Sequence, residues 1–228
     1  MKTKTVIALK NQELPAGDFS SWLDQTRLSL QGKGEADVPC GDCTGCCTSS
    51  YFIHVKPEDV QTLSKVPKKL LVPAPGLPRG HKLMGFSRDG TCPMLAVNKC
   101  SIYEHRPRTC REYDCRIFAA AGIPAGGSEK AVINERVRQW KFSYKSAADR
   151  RAHDAIRAAA SFVQENKESF PNGRVPTNPG DIAVLAIKVY TVFLDCRLEG
   201  LSKKEIAEAI VRVSRQVDQS SVKTPGKE

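Results

Sequence analysis

The sequence predicts an α+β chain: a small mixed, cysteine-rich unit braced by a C-terminal bundle of about four helices. Three observations carry this. Eight of the nine cysteines fall between Cys40 and Cys115. That segment alternates short apolar runs with turns bearing Pro and Gly. From Ser128 onward, apolar residues recur at helical spacing, and Cys196 is the lone cysteine there.

Residues 1–39 read as a helical lead-in. In DFSSWLDQTRLSL, 18–30, Asp18 is the N-cap, and Phe19, Leu23 and Leu30 share a face. The linker GKGEADVP leads into the cysteine domain, 40–118. There SYFIHV, 50–55, reads as a strand, and Pro57 takes the first position of a short helix through PEDVQTLSKV. VPAPGLPRG, 72–80, is a loop. HKLMGF and TCPML flank SRDG and predict a hairpin that carries Cys92 into place. AVNK turns the chain between Cys92 and Cys100. Residues 101–118 hold Cys110 and Cys115 on a short turn or helix after Pro107.

The glycine-rich AAAGIPAGGS precedes a helical region, 128–218. In its first helix Ile133, Val137, Trp140 and Tyr144 recur at helical spacing. A second helix covers Ser146 to Phe162. A third runs from Asp181 to Cys196, with Ile182, Leu185, Val189 and Val192 inward and Gly200 beyond its end. The fourth opens on a capping box, Ser202 and Glu205, and buries Ile206, Ile210, Val213 and Val217. Cys196 ends an apolar face and reads as core. Residues 219–228 read as a disordered tail.

Composition narrows the classes. With 40% hydrophobic and 26% charged residues the chain is ordinary globular material. It has no run of eighteen apolar residues, so no membrane span is expected. The apolar run Val6 to Leu9 is too short for a secretory signal, which places the protein in the cytoplasm. Cytosolic thiols are kept reduced, so dense cysteines there favour metal or redox chemistry over disulfides. The formal charge of +10 raises nucleic acid as a partner. The basic residues are scattered, however, and thiolates around a metal would balance part of the excess, which weighs against it.

The cysteine pattern is C-x2-C-x2-C-C, a long gap, then C-P, x6, C, x9, C, x4, C. A C-x2-C turn converges two sulfurs, and repeating it lets three wrap the corners of an iron–sulfur cube. A remote fourth ligand followed by Pro accompanies such runs. Cys40, Cys43 and Cys46 supply the run, and Cys92, before Pro93, the remote ligand. Cys47, Cys100, Cys110 and Cys115 form the rest of this site or a second one. Zinc competes as a tetrahedral ion, although the second half of the pattern contains no second C-x2-C knuckle. Adjacent side chains diverge in extended backbone, so Cys46 and Cys47 suggest two centres or one non-ligand. Arg106, Arg108, Arg111 and Arg116 surround Cys110 and Cys115 and could offset thiolate charge, or pair with Glu104, Glu112 and Asp114 on the surface. His54, His81 and His153 read as structural; His105, inside the cysteine segment, is a candidate ligand or proton donor.

CGDCTGCC followed by TCPMLAVNKCSIYEHRPRTCREYDC resembles the YkgJ-type cysteine-cluster family, a zinc- or iron-chelating domain. The shared elements are CxxCxxCC, Cys-Pro, Cys-x-Ile-Tyr-x-x-Arg-Pro and Cys-Arg, in that order. The segment is also similar to that of flagellin lysine-N-methylases, which implies a four-iron, four-sulfur (4Fe-4S) centre taking part in methyl transfer. The chain shows neither a glycine-rich methyl-donor motif nor the Cys-x3-Cys-x2-Cys spacing of radical enzymes. Three functions follow: an iron–sulfur or iron protein, a zinc-stabilised module whose helices bind a protein partner, or an iron–sulfur-dependent protein methyltransferase.

Overall fold

The computed structural model describes residues 13–31, 33, 38, 40, 42–194 and 200–222. The signal-like start, most of the GKGEADVP linker, Cys196 and residues 223–228 lie outside the described residues. In chain order the elements are β1 (Leu14–Asp18), α1 (Phe19–Leu30), β2 (Ile53–Val55), α2 (Val60–Lys65), β3 (Leu71–Pro73), β4 (Lys82–Met84), β5 (Leu95–Ala96) and β6 (Lys99–Cys100). Then come α3 (Arg108–Glu112), α4 (Arg116–Ala121), α5 (Ala131–Gln139), β7 (Trp140–Ser143), α6 (Ala147–Glu165), α7 (Pro179–Val189) and α8 (Lys203–Val222), with 3-10 turns between some of them. The chain is α+β. Among the described residues no helix is long and apolar enough to cross a membrane. Its contacts group into two units, one of residues 36–114 and 126–136, the other of residues 1–35, 115–125 and 137–228.

The first unit is built on an antiparallel sheet in the order β2–β4–β3. Ile53 and Leu71 both stand opposite Met84, which is buried and packs with Val66 and Ile102. The predicted hairpin is corrected here. SRDG does turn the chain, with Gly90 N–H donating to Ser87 O at 2.9 Å and Ser87 N–H to Thr91 O at 2.8 Å. The strand after it does not pair with β4. Cys92 gives its N–H to Cys47 O at 2.7 Å, and Pro93 has none to give. Leu95–Ala96 pairs instead with Lys99–Cys100. Pro57 also falls short of the helix, which starts at Val60 after Asp59. Asp59 is buried; its carboxylate accepts from Lys56 N–H at 2.9 Å and from Arg108 N–H at 2.8 Å. Thr62 Oγ1 donates to His105 O at 2.6 Å. Together these bonds hold the segment bearing Arg106 and Cys110 against α2.

In the second unit β1 and β7 run parallel, with Leu14 opposite Trp140 and Gly17 opposite Phe142. The helix predicted through Tyr144 therefore ends at Gln139. WKFS alternates half-buried and exposed residues, the strand period. Phe142 meets Phe19 edge-on at 5.3 Å, and His153 stacks on Phe19 at 4.6 Å. Such aromatic pairs contribute about 0.5–1.5 kcal/mol beyond their buried area. Asp18 caps α1 by accepting from Ser21 N–H at 3.0 Å, as expected. Helix α6 packs on α7, and α4 on both. Ala155, Ala159 and Ala160 of α6 and Ala183 and Ala186 of α7 are all buried. Ser202 and Glu205 form the expected capping box of α8.

Candidate metal centre

A cavity of about 360 Å³ in the first unit is lined by seven cysteines: Cys40, Cys43, Cys46, Cys47, Cys92, Cys100 and Cys110. Cys115 is elsewhere. It belongs to the second unit as the N-cap of α4, and its Sγ accepts the indole N–H of Trp140 at 3.2 Å. Both members of the Cys46–Cys47 pair face the same cavity, because the backbone there is a 3-10 turn (Cys46–Thr48) rather than a strand.

Short-range bonds shape that turn. Cys43 N–H donates to Cys40 O at 2.9 Å, and Gly45 N–H to Cys43 Sγ at 3.5 Å. Ser49, fully buried, donates through Oγ to Gly45 O at 2.6 Å. Ser50 N–H donates to Gly90 O at 3.0 Å. Gly90 has φ +81°, and a Cβ there would stand 2.5 Å from Ser50 Oγ, so a side chain at this position meets both strain and crowding. The Cys92 N–H to Cys47 O bond then ties the remote cysteine to the run.

Residues far along the chain lock the turn from behind. Lys130 Nζ donates to Ser49 O and lies 3.5 Å from the Tyr51 ring centroid. Tyr51 and Tyr113 share a hydroxyl–hydroxyl bond at 2.9 Å. A Cβ added at Gly45 would stand 3.6 Å from Ile133 Cα. Sequence reasoning missed Lys130, since a single lysine in a polar stretch carries no signal of such a contact.

The four candidate arginines separate. Arg106 is buried at 6% exposure and lines the cavity. Its Nη2 donates to Val38 O at 3.2 Å, and its guanidinium sits 4.0 Å over the Tyr103 ring. Arg108 pairs with Glu112 at 2.5 Å, Arg111 donates to Arg106 O at 3.4 Å, and Arg116 donates to Ala16 O in the second unit. His105 does not line the cavity; its carbonyl accepts from Thr62.

Crowding and burial set the thiol chemistry. Cys46 is pushed far up, first by its hydrogen bond with Cys47 and then by burial. Cys47 is pulled down to about 7 by the Cys46 thiol and, against burial, by the Arg106 guanidinium. Burial raises Cys92 and Cys100, and raises Cys110 to about 12. Of the thiols with a shift, Cys47 is the one pulled toward the thiolate, and the Arg106 guanidinium contributes to that pull. Among the described residues no three donor side chains are gathered into a finished coordination sphere, so the sulfurs surround a space rather than a point.

Residues 39–140 match the CxxCxxCC family, described as "putative zinc- or iron-chelating domain". No curated protein and no solved structure matches the chain. The matched segment takes in all seven cavity cysteines and also residues 126–136, which the structure groups with them. Its seven thiols, soft donors around a cavity with a buried cation, fit a thiophilic metal.

Proposed function

We propose that the matched segment holds an iron–sulfur cluster in its cysteine cavity. Cys40, Cys43, Cys46 and Cys92 supply the thiolates, and Cys47, Cys100 and Cys110 complete the wall. The observation that carries this is the lining of one cavity by seven thiols and the buried guanidinium of Arg106. A tetrahedral zinc ion, with Zn–S near 2.3 Å, draws its four sulfurs to within roughly 3.8 Å of one another. A space of about 360 Å³ has room for a multi-atom inorganic core as well as for a single ion, and the C-x2-C-x2-C run with Cys92 before Pro93 is what favours the cluster. Four thiolates around an oxidised four-iron cluster carry a net charge of about −2, which Arg106 is placed to offset. Such a cluster supplies one-electron chemistry when bound. The chain orients the sulfurs through the turn bonds, and Ile53, Met84, Met94 and Ile102 make part of the wall apolar.

Anaerobic preparation tests the assignment. The expected protein is brown, with iron and acid-labile sulfide in comparable amounts. A colourless protein holding stoichiometric zinc overturns it in favour of a zinc-stabilised module. Cys43→Ser is expected to lower metal content sharply and Cys196→Ser to leave it unchanged; equal content in both would remove the assigned ligands.

A further inference from the structure

The sheet of the first unit carries a donor pair that the cysteine cavity does not use. Antiparallel register sets His54 opposite Leu83, so His81, two residues before Leu83, is its diagonal neighbour on the same face. Ile53 and Met84, the alternate positions, line the cysteine cavity. The two imidazoles therefore stand on the other face of the sheet. Their rings stack at 5.0 Å between centroids, and His54 Nε2 lies 2.8 Å from His81 Nδ1. The backbone holds them there: His54 is within β2, and His81 O accepts from Ala74 N–H at 3.0 Å. Both residues keep partial solvent access.

One hydrogen bond between the rings occupies one nitrogen of each. Two imidazole nitrogens converging from neighbouring strands are also a donor set for a metal. Nitrogens bound at 2.0–2.1 Å to one tetrahedral ion stand roughly 3.3 Å apart, so opening the pair by about half an ångström admits a cation. We propose that His54 and His81 form a second, thiol-free metal site for a borderline divalent cation such as nickel or zinc, with water completing the coordination. Among the described residues no third His, Cys, Asp or Glu joins them, which makes the site an exchangeable one. The site depends on no assumption about what fills the cysteine cavity.

Equilibrium dialysis of the full-length protein as purified against nickel ion tests this. Wild type is expected to bind one exchangeable nickel more than His54→Gln and His81→Gln. His81→Phe, which keeps a ring stacked on His54 but removes its nitrogens, is expected to lose the same nickel. Unchanged cysteine-site metal and an unchanged circular dichroism spectrum identify folded variants. Equal nickel binding by wild type and all three folded variants overturns the proposal and leaves the rings sharing a proton only.

Discussion

Thiols that yield protons to a metal leave negative charge in a cavity with largely apolar walls. Arg106 is the buried cation lining that space, and its charge pulls Cys47 and Cys100 toward thiolate. Arg106→Leu is expected to weaken metal binding by about ten-fold or more in chelator competition. Arg106→Lys should recover part of the loss, because an ammonium keeps the charge but not the planar stack on Tyr103. Wild-type affinity in Arg106→Leu would reduce the side chain to a strut for Val38. The cysteine run could be read from the sequence because its spacing is local, and Cys92 because Pro93 follows it. The pairing of His54 with His81 and of Lys130 with Ser49 joins positions 27 and 81 residues apart, and no periodicity links them.

Helix α6 shows what an element needs at each end of its core face. Ser146 and Asp149 form a reciprocal capping box. Ser146→Ala is expected to cost about 1 kcal/mol, measured as a shift in the urea midpoint. Further along, His153 is buried against Phe19 and bonded to the Tyr144 hydroxyl at 2.6 Å. Burial, and then Arg157, push its pKa down from 6.5 to about 4. The unfolded chain takes up this proton first as pH falls. The stability His153 contributes is thus complete above pH 6.5 and declines as pH drops toward 4, by about 3 kcal/mol at most. His153→Phe should flatten that part of the stability–pH curve; an unchanged slope would place the effect on other groups. Helices α1, α6 and α8 were legible because apolar periodicity and polar caps coincide. Strand β7 was not: Trp140 and Tyr144 satisfy helical spacing while WKFS also alternates with period two, and pairing with β1 decides between them. The hairpin expected around SRDG failed for a similar reason, since Cys92 is committed to Cys47 rather than to a ladder with β4.

For the whole molecule, the grouping of residues 126–136 with 36–114 makes the cysteine unit discontinuous in sequence. A fragment ending at residue 125 is expected to retain less metal than one ending at residue 140, by elemental analysis after gel filtration, because it lacks Lys130 and Ile133 behind the turn of Cys46 and Cys47. Equal retention would show that the turn stands without its backing. The same layout orders events during synthesis. Every cavity cysteine is synthesised before Lys130, so the thiols of the Cys40–Cys47 run emerge from the ribosome while the turn is still unbacked. Loading that begins in this interval meets an open, pliable nest of sulfur, whereas loading after release meets one already braced. If metal loads during synthesis, where residue 130 falls in the chain sets how far the site is braced when it does.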